Sequence, residues 1–197
     1  MTEKEENPIV ELVKTLLSAG ILAIGIRACV AEARYIPSES MLPTLEINDR
    51  LIIEKISYRF RKPERGDVVV FSPTDALKEQ DYKEAFIKRV IGIPGDIVEV
   101  KDGEVFVNNQ KLTENYIKEP PVYQYPPTEV PEERYLVLGD NRNNSYDSHY
   151  WGFVPLQNLI GRATVRFWPP NRLGSLDEKP LYPETEQLDS KEPVKTN

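Results

Sequence analysis

From Arg50 onward the apolar residues of this chain come in runs of strand length, and each run is cut off by glycine, proline, asparagine or aspartate. Leu51-Ile52-Ile53 lies within residues 49–55, Val68-Val69-Val70 within 67–71, and the longer run 85–93 is closed by Pro94-Gly95-Asp96. An amphipathic helix needs an apolar stripe sustained over ten or more residues, roughly, so this punctuation restricts the region to strands. Residues 97–101 and 104–108 alternate around Asp102-Gly103, a dipeptide that accepts the positive φ angles of a tight hairpin, and Asn108-Asn109 makes the next turn. Residues 135–138 and 159–168 supply two further strands, the last stopped by Pro169-Pro170. The fold class expected is mainly β: an antiparallel sheet domain over residues 34–170 with a small hairpin and Pro-rich insertion near 101–131.

Two segments stand apart from that domain. Residues 119–133 carry Pro120, Pro121, Pro126, Pro127 and Pro131 and read as an exposed loop, because proline cannot donate to a ladder. From Asn171 to Asn197 the chain loses periodicity and is rich in Pro, Glu, Asp and Lys, which predicts a disordered tail.

The first 33 residues set the cellular context. Residues 16–26 form an almost uninterrupted apolar stretch, and residues 9–30 reach spanning length if Glu11, Lys14 and Arg27 snorkel near the ends. The favoured reading is a single transmembrane anchor over residues 1–33. A helix buried in a soluble core and a cleaved signal peptide are the alternatives, the second because Ala31-Glu32-Ala33 mimics a small-x-small cleavage site. Lys4 and Lys14 before the stretch balance Arg27 and Arg34 after it, so charge assigns no orientation.

Composition narrows the chemistry. The net charge of -7, with basic residues scattered along the chain, leaves no surplus to neutralise phosphates, and no nucleic-acid partner is expected. One histidine, His149, and one cysteine, Cys29, exclude a His/Cys zinc site and an intrachain disulfide. No metal and no cofactor are expected.

Three segments can carry a reaction. Pro37-Ser38-Glu39-Ser40-Met41-Leu42-Pro43-Thr44 places hydroxyls beside a Pro-fixed turn, where serines mostly serve as local backbone caps. In Phe86-Ile87-Lys88-Arg89-Val90, strand alternation puts Lys88 on one face with Phe86 and Val90, so its amine enters an apolar layer unless it snorkels to the rim. To act as a base near neutral pH the lysine must fall from about 10.4 to roughly 8, a cost of about 3 kcal/mol that burial can supply. A neutral lysine within hydrogen-bond reach of a serine can take its proton. The third segment, from Gly139-Asp140-Asn141-Arg142 through Ser145-Tyr146-Asp147-Ser148-His149 to Gly152, is dense enough in polar groups to form a hydrogen-bonded network. It lacks the spacing of a calcium loop. His149 also permits a triad of Ser40, His149 and an aspartate. Arg65-Gly66-Asp67 has the letters of an adhesion tripeptide but opens a strand at an ordinary turn.

Together, and in order, these segments resemble the type I signal peptidase family: residues 38–45 its nucleophile box, 65–69 a structural box, 88–96 its lysine box and 139–155 its final box. The resemblance implies a Ser/Lys dyad endopeptidase in which Ser40 attacks the scissile carbonyl and Lys88 serves as base and then acid. It implies an oxyanion hole from Ser38 Oγ and the Ser40 backbone N–H, with Ser145 orienting Lys88 and Asp147 holding the loop. The implied partners are preprotein signal peptides, cut after an Ala-x-Ala type site, and membrane lipid. The implied location is a bacterial plasma membrane or a thylakoid membrane, single-pass, with the catalytic domain on the trans side. Where many bacterial members carry arginine after the Asp-Ser pair this sequence has His149, so an Asp147–Arg ion pair cannot form. The string Ser145-Tyr146-Asp147-Ser148-His149 looks more like the cyanobacterial and plastid branch. A self-cleaving Ser/Lys repressor-type peptidase would need a basic DNA-binding module, which this sequence lacks. A catalytically inactive membrane-anchored β-domain is the alternative from a different class.

Overall fold

The computed structural model describes residues 8–176. Helix α1 (Pro8–Cys29) has 22 residues and is ~33 Å long. Its stretch Pro8–Arg27 has mean hydropathy 2.0, and none of it is buried against the rest of the chain. The soluble-core reading of this helix therefore has no counterpart, and α1 is long and apolar enough to cross a bilayer.

Strand β1 (Ala31–Tyr35) follows α1 after a single residue and pairs antiparallel with β2 (Arg50–Glu54), Ala31 opposite Glu54. The boundary expected at residue 33 thus falls earlier: Ala31-Glu32-Ala33 belongs to the sheet. The chain continues through β3 (Val68–Phe71), the short helix α2 (Asp75–Lys78) and β4 (Phe86–Gly92). It then makes β5 (Ile97–Lys101), β6 (Glu104–Val107), β7 (Gln110–Lys111) and β8 (Tyr125–Glu129). It returns with β9 (Arg134–Leu138), the short helix α3 (Ser148–Trp151), β10 (Val154–Pro155), β11 (Leu159–Trp168) and β12 (Gly174–Ser175). The large sheet has the order β1-β2-β11-β3-β4-β9-β10 with β12 beside β11, and the small one β7-β6-β5-β8. Every pairing is antiparallel, as expected for a mainly β fold.

Strand alternation builds the core. Ile87 packs with Met41, Leu45, Leu51, Ile53, Val68 and Val70 on one side of the large sheet. Val90 and Phe86, two residues either side of Lys88, join Val69, Phe71, Val137 and Trp151 on the other. Ile91, Leu136 and Leu138 meet Val98, Val100, Val105 and Val107 of the small sheet, which fixes the two sheets to each other.

Three further expectations are corrected. The Pro-rich segment is not wholly loop: Tyr125–Glu129 forms β8 and pairs with β5, with the irregularity between Val98 and Val100 falling opposite Pro126 and Pro127. Being terminal in its sheet, β8 can hold prolines with their missing N–H directed away from the ladder. The small sheet also begins at Ile97, ahead of the expected insertion boundary. At the other end, residues 174–175 pair with β11, so the ordered unit passes residue 171. The remainder of the expected tail lies outside the described residues.

Candidate active site

Ser40 is held by packing on one side and by hydrogen bonds on the other. After β1 the chain stays paired at Ile36, whose N–H donates to Asp49 O, then turns so that Leu45 N–H donates to Met41 O. Met41 and Leu45 are fully buried and pin this turn to the core. On its polar side Asn141 N–H donates to Ser40 O at 3.1 Å and Asn141 Nδ2 to Glu39 O at 3.1 Å.

Lys88 enters from β4, opposite Val69. Its side chain is buried, 3% exposed, and Nζ lies 2.8 Å from Ser40 Oγ and 2.9 Å from Ile87 O. Burial pushes the amine down to about 8, working against Asp147 and Asp140, whose negative charges raise it. A lysine in that range is substantially neutral near pH 8 and can accept the hydroxyl proton of its neighbour. Ser38 Oγ lies 3.4 Å from Ser40 Oγ, on the same loop.

Ser145 reaches the site without the bond expected of it. Its Oγ is buried and has no hydrogen-bond partner, while Lys88 Nζ is engaged by Ser40 and Ile87. Gly139 lies in the space between: a Cβ there would collide with Ser145 Oγ and Ser40 O, so only glycine lets the two loops approach. Asp147 holds the loop through three contacts. Its carboxylate accepts from Gly139 N–H at 2.9 Å, caps α3 by accepting from His149 N–H at 3.3 Å, and meets His149 Nδ1 at 2.7 Å. His149 thus makes the side-chain contact to Asp147 for which an arginine was absent, and it stacks on Tyr123 at 3.9 Å between centroids. Ser40 Oγ bonds to Lys88 and Ser38, not to His149, so the triad arrangement is not formed.

Sequence reasoning gave no roles to the residues that brace these loops. Arg89 is completely buried and donates to Asp140 through Nε at 2.9 Å and Nη2 at 2.7 Å, to Gly66 O at 3.0 Å, and lies over the Tyr116 ring. Thr44 Oγ1 donates to the same carboxylate at 2.6 Å. Asp140 therefore ties the serine loop to the lysine strand. Arg142 makes a two-pronged pair with Glu114 at 2.6 and 2.7 Å and donates to Gly139 O. The polar density of residues 139–142 was the available signal; their partners lie too far along the chain to be read from it.

Ser38, Ser40 and Lys88 open onto a cleft of about 490 Å³ whose walls include Ile47 and Tyr146. A second cleft of about 450 Å³ continues it, sharing Pro37 and residues 84–87 and reaching Arg27 near the end of α1. One wall of this second cleft is β1, the terminal strand of its sheet.

A family model described as Signal peptidase, peptidase S26, matches residues 9–168. A protein named Signal peptidase I from Leptolyngbya laminosa is 64% identical over 181 residues, covering 91% of this chain and 89% of that one. Thylakoidal processing peptidase 1, chloroplastic, from Arabidopsis thaliana is 44% identical over 165 residues, covering 81% of this chain and 48% of that protein. Signal peptidase I P from Bacillus subtilis subsp. natto is 32% identical over 182 residues, covering 87% of this chain and 95% of that one.

Proposed function

This chain belongs to the signal peptidase family, peptidase S26, on its cyanobacterial and plastid branch, and we propose that within it Ser40 is the nucleophile and Lys88 the general base. It is a hydrolase that removes signal peptides from preproteins. The observation that carries the assignment is the 2.8 Å contact between Ser40 Oγ and a buried amine brought down to about 8.

In the neutral form Lys88 Nζ takes the Ser40 proton as Oγ adds to the scissile carbonyl. Negative charge develops on the carbonyl oxygen, and the Ser40 backbone N–H and Ser38 Oγ are the proposed donors to it. The charged Lys88 then returns its proton to the leaving amine, and the acyl group is passed to water by the same sequence in reverse. Ser145 is the proposed acceptor for Lys88 in its ammonium form, its buried Oγ having no other partner. Asp147 keeps the loop in place through Gly139.

For the substrate we propose an extended segment laid along the outer edge of β1, with small pockets for alanine-like residues at the first and third positions before the cut. The groove running from Ser40 to Arg27 supports this, since it leads the signal peptide toward the end of the membrane helix. The chain is a membrane protein. The placement proposed is single-pass, with the catalytic domain on the trans side of a plasma or thylakoid membrane.

The test is to incubate the lipid-reconstituted chain with a preprotein carrying an Ala-x-Ala site and map the cut by mass spectrometry. Cleavage after the second alanine, lost in both Ser40→Ala and Lys88→Ala, is expected. Cleavage that survives either substitution would overturn the dyad.

A further inference from the structure

The chain as a whole scatters its basic residues, but one turn is an exception. Lys55, Arg59, Arg61 and Lys62 fall within eight residues that contain no acid, in a chain of net charge -7. The same turn exposes Phe60, which is 85% accessible. Residues 57–59 form a 3-10 turn in which Phe60 and Arg61 N–H both donate to Ser57 O. From beneath, Tyr58 Oη and Arg61 Nη1 donate to the buried Asp67 carboxylate at 3.1 and 3.0 Å. The aromatic ring is therefore held outward by the fold, and Arg59 and Lys62 are exposed beside it.

Position gives this arrangement its meaning. Lys55 N–H donates to Val30 O and Lys55 Nζ to Arg27 O, so the turn starts at the C-terminal end of α1. Phe60, five residues on, is at most about 18 Å from that point. An exposed aromatic flanked by two exposed cations, within about 18 Å of the point where a membrane helix ends, matches the chemistry of an anionic lipid surface. The ring gains by leaving water, and the long arginine and lysine side chains reach phosphate or carboxylate headgroups.

We infer that the turn of residues 55–62 is a second membrane contact, in which Phe60 inserts into the headgroup layer and Arg59 and Lys62 bind anionic lipid, fixing the tilt of the catalytic domain on the bilayer. The inference rests on α1 crossing the membrane. Its test uses the full chain with Cys29→Ser and single nitroxide labels introduced by Ile21→Cys, Phe60→Cys or Val122→Cys, in vesicles with and without phosphatidylglycerol. Collision with a water-soluble nickel chelate is read by electron paramagnetic resonance. In anionic vesicles the label at 60 should collide severalfold less than the label at 122, and Arg59→Glu with Lys62→Glu should abolish that protection. A label at 60 as accessible as 122, with 21 protected, overturns the inference and leaves the anchor intact. Equal protection at 60 without phosphatidylglycerol overturns the anionic-lipid assignment. A chelate-accessible label at 21 overturns the anchor itself.

Discussion

Arg89 and Asp140 close a two-pronged ion pair on the residues that directly follow Lys88 and Gly139, at 2.9 and 2.7 Å and with neither side chain exposed. The pair sets the register between the strand that carries the base and the loop that flanks the nucleophile. Thr44 adds the serine loop to the same carboxylate. Removing one partner strands a buried charge, which costs about 3–5 kcal/mol, whereas an apolar pair of similar volume restores much of it. Asp140→Ala should lower stability in that range by thermal unfolding followed by circular dichroism. Arg89→Met with Asp140→Leu should be the more stable of the two variants.

Lys88→Met should stabilise the fold while abolishing cleavage. The folded-state amine lies near 8 and the unfolded value near 10.5, so the folded state binds fewer protons between those pH values and wild-type stability rises with pH there. Below pH 8 the penalty is fully present, about 3 kcal/mol by linkage less the two hydrogen bonds lost. Melting temperatures of variant and wild type should differ most at pH 7 and converge as pH rises past 10.5, loss of the hydrogen bonds aside.

Gly139→Ala should reduce kcat by about 100-fold or more, because the added Cβ meets Ser40 O and Ser145 and displaces the nucleophile. Steady-state kinetics on a preprotein substrate read this directly; an unchanged kcat would mean that the loops separate without moving Ser40.

His149→Ala and Asp147→Ala should part company. Loss of the His149 ring removes the stack on Tyr123 and one contact to Asp147 but leaves Gly139 N–H bonded, so cleavage should fall only slightly. Asp147→Ala leaves a buried N–H without its acceptor, costing about 1–3 kcal/mol and loosening the loop beside Ser40. Parallel kcat measurements on the two variants check the order.

The residues most legible in the sequence were those whose signal is local. Lys88 could be placed because alternation within β4 puts it between Phe86 and Val90, and the Asp102-Gly103 turn could be placed because both residues adopt positive φ. Strands β2, β3, β4, β5, β6, β9 and β11 carried their own apolar runs. What escaped depends on partners elsewhere: β8 forms despite its prolines because β5 supplies a sheet edge, and β1 forms from Ala31–Tyr35 because β2 lies alongside. Arg89 and Asp140 are 51 residues apart, and neither announces the other. The resemblance supplied a role for Ser145, but its unbonded Oγ is a feature of how Gly139 packs, which no spacing encodes.

The pH dependence of kcat/KM for preprotein cleavage tests the central claim most directly, because it reports the ionisation of the free enzyme's base. The ascending limb should break near pH 8, the value to which burial brings Lys88, and the break should be unmoved by His149→Ala. A break near 6.5 that disappears in the His149→Ala variant would contradict the account, assigning the base to the histidine and leaving the buried lysine as a structural element.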